Sequence, residues 1–153
     1  MTVEVGDIAP DFTLTDQNRE SVTLSSFRGK SNVVIVFYPF TFTSVCEGEM
    51  CALRDDLDGL SGLDAEVLAI SCDSPFAHKV WADQENLAFA LLADFWPHGA
   101  VAKAYGVFNE DLGAAMRGTF IVNTEGKIAY KVENPIAQAR SVDAYKDALA
   151  ELA

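Results

Sequence analysis

Cys46 stands where a chain can turn a thiol into a nucleophile. It ends the segment Pro39-Phe-Thr-Phe-Thr43-Ser-Val-Cys46, which directly follows the apolar run Val33-Val-Ile-Val-Phe-Tyr38. Such a run reads as a buried strand. Pro39 cannot continue a central ladder, so the strand stops there. Thr43 and Ser44 both offer helix N-caps, and Ser44 with Glu47 three residues later fits a capping box. Cys46 is therefore predicted in the first turn of a helix just after a core strand. Unpaired backbone N–H groups and the positive end of the helix dipole favour a thiolate at that place.

A thiol is a weak nucleophile until it is ionised. Thr43 lies three residues before Cys46, within hydrogen-bonding reach of the sulfur's surroundings. A cation is also wanted, and Arg117 is the candidate, in Arg117-Gly-Thr-Phe at the entry to a predicted strand. Gly118 lets the backbone there pass closely. Glu49 falls one turn beyond Cys46 on the same helix face, placed to orient an arginine. Pro39 shields the thiolate from water and holds the turn.

The remaining pattern supplies the frame for this turn. Phe12-Thr-Leu-Thr15 and Ser21-Val-Thr-Leu24 alternate around a polar stretch and predict a hairpin. The helix carrying Cys46 is expected to run to about Leu60. Ala65–Ser71 predicts a second buried strand, and Ser74-Pro75 starts a helix with a cap and a proline, reaching about Asn86. Leu91-Leu92 marks a short strand, and residues 99–105 a short helix. Thr119–Asn123 and Ile128–Val132 predict a second hairpin. In the last helix Val142, Tyr145, Leu149 and Leu152 recur at helical spacing and should face the core. The order β-α-β-α-β-(α)-β-β-α after an N-terminal hairpin is that of a thioredoxin-like α/β fold, a central mixed sheet flanked by helices. The Cys46 turn falls at the carboxyl edge of a central strand, where sites in such sheets sit.

At 153 residues the chain is expected to form a single domain, 1–153, with a real core. Half of it is hydrophobic, which argues against disorder. A net charge of −12 opposes binding to nucleic acid and to anionic membrane surfaces. No apolar run approaches the ~20 residues of a membrane span. The start, Met-Thr-Val-Glu-Val-Gly-Asp, lacks the basic and apolar regions of a signal peptide, so a cytoplasmic protein is expected. Three cysteines, at 46, 51 and 72, do not make a disulfide framework, and no CxxC pair is present. That weakens both a thioredoxin-type dithiol and a zinc ribbon.

Pro39, Thr43 and Cys46, with the distant Arg117, resemble the Pro-x-x-x-Thr-x-x-Cys active site of the peroxiredoxins. The resemblance extends along nearly the whole chain, through Gly6-Asp-Ile-Ala-Pro-Asp-Phe-Thr-Leu, Ile70-Ser-Cys-Asp-Ser74 and Arg117-Gly-Thr-Phe120. Asp94-Phe-Trp-Pro-His-Gly-Ala-Val-Ala-Lys-Ala-Tyr-Gly-Val-Phe108 is similar to the actinobacterial alkyl hydroperoxidase E subgroup. The likeness implies a thiol peroxidase acting on hydrogen peroxide and organic hydroperoxides. The Cys46 thiolate would attack the terminal oxygen, held by Arg117, Thr43 and the backbone N–H of Cys46, to leave a sulfenic acid. No metal, haem or flavin is implied. Family likeness also points to a homodimer.

Cys51 departs from the alkyl hydroperoxidase E pattern. Its place five residues after Cys46 resembles the resolving cysteine of the peroxiredoxin Q subgroup. The likeness implies a Cys46–Cys51 disulfide, reduced by thioredoxin or a mycoredoxin-type partner. Five residues of helix separate the pair by about 7.5 Å of rise and about 140° of turn, too far for an unstrained disulfide. Such a bond requires unwinding. Core packing beside Met50 and Leu53 is the other role open to Cys51, which would leave a one-cysteine enzyme served by an external thiol of low molecular weight. Cys72 reads as packing. His78 and His98 have no triad or metal spacing and read as structural or solvated. Trp81, Phe95 and Trp96 read as core or interface. Phe40 and Phe42 either line the mouth of the site or meet another subunit. A peroxide sensor passing its oxidation to a partner, and a thioredoxin-like reductase or binding module, are the competing functions.

Overall fold

The computed structural model describes residues 3–135 and 140–152; residues 1–2, 136–139 and 153, which the single-domain expectation includes, lie outside them. The N-terminal hairpin is β1 (Thr13–Thr15) and β2 (Ser21–Thr23), followed by a 3-10 turn at Leu24–Phe27. Then come β3 (Asn32–Phe37), α1 (Ser44–Asp55), α2 (Leu57–Ser61), β4 (Ala65–Ser71), α3 (Pro75–Glu85), β5 (Ala90–Ala93) and α4 (Ala100–Ala104). The chain continues through β6 (Phe108–Asn109), β7 (Ala114–Ala115), β8 (Arg117–Val122), β9 (Ile128–Asn134) and α5 (Val142–Ala150).

Seven strands form one mixed sheet in the order β2-β1-β5-β4-β3-β8-β9. β3, β4 and β5 run parallel, whereas β8 and β9 join antiparallel on the other side of β3. The apolar runs sit at the centre because the sheet is covered on both faces. β3 alternates accordingly. Val34 and Val36 enter a core with Met50 and Leu53 of α1, Leu60 of α2, Trp81 of α3 and Tyr145 and Leu149 of α5. Val33, Ile35 and Phe37 enter the opposite core with Val101 and Ala102 of α4, Tyr105 and Phe120. The architecture is the thioredoxin-like mixed sheet flanked by helices, with the N-terminal hairpin added at its edge.

Several boundaries differ from the sequence expectation. The helix carrying Cys46 stops at Asp55, not near Leu60. Asp56 leaves helical geometry at φ −113° and ψ 15°, and its carboxylate meets Lys146 of α5 at 2.5 Å. After the break α2 starts at Leu57, and Leu60 is buried in the core. Thr43, not Ser44, is the N-cap, and no side-chain cap bond forms, so the Ser44–Glu47 capping box is absent. The Thr43 hydroxyl donates instead to the Phe40 carbonyl at 2.8 Å, closing the loop on itself. β8 begins two residues early because Arg117 pairs with Asn134, which also extends β9. The β6–β7 ribbon is too short to leave a periodic signal. The Ser74 cap holds, its hydroxyl accepting from the Ala77 N–H at 3.2 Å.

Candidate active site

Cys46 is the third residue of α1, among the positions whose N–H groups lack an intrahelical partner. The first helical bond comes only at Glu47, whose N–H donates to the Thr43 carbonyl at 2.8 Å. The sulfur is fully buried. Arg117 reaches it from the first position of β8, Nη2 donating to Sγ at 3.2 Å. β8 runs beside β3, and this adjacency brings residue 117 under the end of the strand that leads to Cys46. Gly118 makes the approach possible: a Cβ there would sit 2.7 Å from a Val107 methyl.

Glu49 holds the arginine in place, its Oε1 accepting from Arg117 Nη1 at 2.6 Å. A second guanidinium, Arg140, encloses the same carboxylate. Its backbone N–H and Nε each donate to Oε2 at 2.7 Å, and Nη2 donates to Oε1 at 2.8 Å. Arg140 Nη1 also donates to the Gly118 carbonyl at 3.0 Å and to Thr119 Oγ1 at 3.1 Å. The side chains of Arg117, Glu49 and Arg140 are only 2–3 % exposed. Among the described residues, two guanidinium groups meet one carboxylate in this buried cluster. Uncompensated buried charge is costly, so the cluster favours a negative group beside Arg117. Sequence reasoning missed Arg140. It lies in no motif, and its carboxylate partner is 91 residues away along the chain.

The loop before the helix is held separately. Pro39 and Thr41 are buried, and Phe42 takes a left-handed φ of 72°, strained for a bulky residue. Asp73 fastens it, Oδ2 accepting from the Thr41 N–H at 2.9 Å and from Ser71 Oγ at 2.7 Å. Tyr38 Oη and Thr41 Oγ1 lie 3.0 Å apart, and the Phe42 ring packs edge-on against Trp81. Ser71 Oγ spends its proton on Asp73, so it accepts from His78 Nε2 at 2.7 Å. The other ring nitrogen, Nδ1, is buried. Burial pushes the His78 pKa down to about 4 against the pull of Asp73. His78 is thus a neutral structural group. Thr43 stands apart from the expectation that it bonds near the sulfur: its hydroxyl is exposed and turned to Phe40.

Cys51 is half-buried farther along α1, its Sγ donating to Glu85 Oε2 at 3.5 Å. Cys72 is buried just after β4. Burial, then Asp94 and Asp73, raise its pKa to about 12, which suits packing rather than reactivity. His98 is exposed, with Nε2 2.6 Å from the Gly113 carbonyl. Trp81 is core, whereas Phe95 and Trp96 lie on the surface, Trp96 at 81 % exposure. Phe40 and Phe42 are exposed beside the loop. Among the described residues there is no cluster of His, Cys, Asp and Glu able to hold a metal ion, and no helix is long and apolar enough to cross a membrane.

Comparison with known proteins agrees with this geometry. Residues 5–131 match the AhpC/TSA family. The chain is 49 % identical over 150 residues to alkyl hydroperoxide reductase E of Mycobacterium tuberculosis, covering 98 % of both. The fold is similar to the reduced 2-Cys peroxiredoxin of Plasmodium vivax, with a TM-score of 0.90 and 28 % identity over 98 % of this chain and 82 % of that one. It is also similar to AhpC of Mycobacterium tuberculosis, with a TM-score of 0.87 and 30 % identity over 99 % of each chain. A buried helix-start cysteine bonded to arginine, on this fold and with these relatives, makes the chain a member of the AhpC/TSA family and a peroxiredoxin, an enzyme of the thiol peroxidase class.

Proposed function

We propose that Cys46 is the peroxide-attacking nucleophile and that Arg117, Thr43, Pro39 and Glu49 serve it. The observation that carries this reading is the 3.2 Å bond from Arg117 to Cys46 inside a buried cluster of two guanidinium groups and one carboxylate. A cationic donor at the sulfur stabilises the attacking thiolate and then the charge that develops on the departing oxygen. The Cys46 N–H and the Thr43 hydroxyl, exchanging the Phe40 carbonyl for substrate, complete the cradle. Attack on the terminal oxygen of ROOH breaks the O–O bond, leaves ROH and oxidises Cys46 to a sulfenic acid. Glu49 aims Arg117, and Pro39, buried at the strand end, keeps water from the sulfur.

Hydrogen peroxide and organic hydroperoxides are the substrates. Exposed Phe40 and Phe42 supply an apolar rim for the latter, and the relative's description as an alkyl hydroperoxide reductase supports that class. The alternative role of these rings is the contact of a homodimer. Cys51 resolves the sulfenic acid as a Cys46–Cys51 disulfide after the first turns of α1 unwind. Thioredoxin or a mycoredoxin-type partner then reduces it, in a reducing cytoplasm suited to three free thiols.

The test is the intact mass of the reduced protein after one equivalent of hydrogen peroxide, with a dimedone trap and peptide mapping. A loss of two hydrogens mapped to Cys46 and Cys51 is expected. Dimedone on Cys46 with Cys51 free points to a one-cysteine cycle, and no modification of Cys46 sinks the peroxidase assignment of that residue.

A further inference from the structure

Cys51 lies in surroundings unlike those of Cys46. Its Sγ donates to Glu85 Oε2 at 3.5 Å, across the contact between α1 and the last residue of α3. Glu47 of α1 lies beside Glu85, and the nearness of that second acid holds Glu47 above its usual range. Arg54, also on α1, donates from Nη1 to the Glu85 carbonyl at 2.6 Å. The half of α1 that carries Cys51 and Arg54 is thereby pinned at two points to the end of α3.

On the proposed reading the first turn of α1, up to Cys46, opens while the bonds of Glu49, Cys51 and Arg54 hold the rest of the helix. Thr43 and Ser44, at the start of α1, are exposed. Peeling the first turn brings Cys46 toward Cys51 while Cys51 stays with Glu85. The thiol there is a poor nucleophile by itself. Burial and then the bond to Glu85 raise its pKa, so at neutral pH its proton must leave during the attack.

We propose that Glu85 is the proton acceptor for Cys51 when that thiol attacks the sulfenic acid of Cys46. The step balances without an outside reagent. The Cys51 sulfur bonds to the Cys46 sulfur, the S–O bond of the sulfenic acid breaks, and the thiol proton passes through the Glu85 carboxylate to the departing hydroxide, giving water. The sulfenic sulfur is reduced and the Cys51 sulfur oxidised to the same disulfide level. Arg54 favours the anionic sulfur formed on the way, while Glu47 and Glu85 oppose it. Glu85 touches the reacting group and is in that sense catalytic. This inference rests on the reading that Cys51 resolves.

The experiment follows the reduced full-length protein after one equivalent of hydrogen peroxide, quenched with a thiol-alkylating reagent at successive times from pH 6 to 9. Cys46 oxidation and Cys46–Cys51 disulfide formation are read separately by mass. Glu85→Gln should oxidise at Cys46 as fast as the parent but form the disulfide roughly 100-fold more slowly at pH 7, the low end for loss of a general base. In the variant the rate should rise about tenfold per pH unit as the thiol ionises unaided, closing the gap at high pH. Equal disulfide rates at pH 7 overturn the proposal. A slowing that is the same at every pH overturns it too, because it assigns Glu85 to holding the helices only. Cys46 oxidation with no disulfide in the parent fails the two-cysteine reading itself, and the role of Glu85 falls with it.

Discussion

Two cysteines five residues apart on α1 occupy opposite electrostatic settings. Cys46 is buried against Arg117, itself locked by Glu49 and Arg140. Cys51 is half-buried and bonded to an acid, with Glu47 close to that acid and Arg54 as a nearby cation. The helix is common to both, so the dipole of its first turn is only part of what separates them. The tertiary partners supply the rest: β8 and Arg140 deliver positive charge to one thiol, and the end of α3 delivers negative charge to the other. On the proposed reading, reactivity toward peroxide goes with the cationic pocket, and reactivity toward a sulfenic acid goes with a group that can take a proton.

The comparison breaks most severely at Glu49. Glu49→Gln removes the carboxylate that both Arg117 and Arg140 bond in a buried site, and removing one member of a buried pair costs about 3–5 kcal/mol. Urea unfolding should show that loss; a midpoint unchanged from the parent would mean that the cluster is not balanced as described. Arg117→Ala tests the cationic pocket more gently on stability, because Glu49 keeps its three bonds to Arg140. Stopped-flow oxidation of Cys46 should slow roughly 100- to 1000-fold, the range for losing one donor to a developing charge, and a rate within a factor of a few of the parent would remove Arg117 from the mechanism. Cys51→Ser should have the smallest effect on the first step, leaving Cys46 oxidation within about twofold, since none of the partners of Cys46 described above involves residue 51. It should, however, accumulate sulfinic acid at lower peroxide doses than the parent, as an unresolved sulfenic acid does. Equal sensitivity by mass would count against Cys51 as the resolver.

Much of the fold was legible before any coordinates. β3 and β4 announced themselves as continuous apolar runs because both faces of their sheet are covered. α3 was marked by Ser74-Pro75, and α5 by the spacing of Tyr145 and Leu149, which are buried as the period requires. Cys46, Glu49 and Arg117 were legible as candidates, two by helical spacing and one by its place at a strand entry, and the structure brings the three together. Less legible were features decided by contacts between distant segments. Asp56 interrupts the expected long helix where it meets Lys146, and the Phe40 carbonyl draws the Thr43 hydroxyl away from the sulfur. Asp73 anchors the active loop through one backbone N–H, a bond that leaves no sequence signature.

By itself the sequence determined the local conformations: where apolar period makes strand or helix, where Pro39 ends β3, and that a cysteine follows in the first turn of a helix. These depend on neighbours within a few residues. Only the tertiary structure decided the charges around each thiol. Arg140 reaches Glu49 across 91 residues, and Glu85 reaches Cys51 across 34. Electrostatic interactions act through space and strengthen where water is excluded. The setting of a sulfur is therefore written by whichever segments the fold packs against it, and that packing has no local code in the chain.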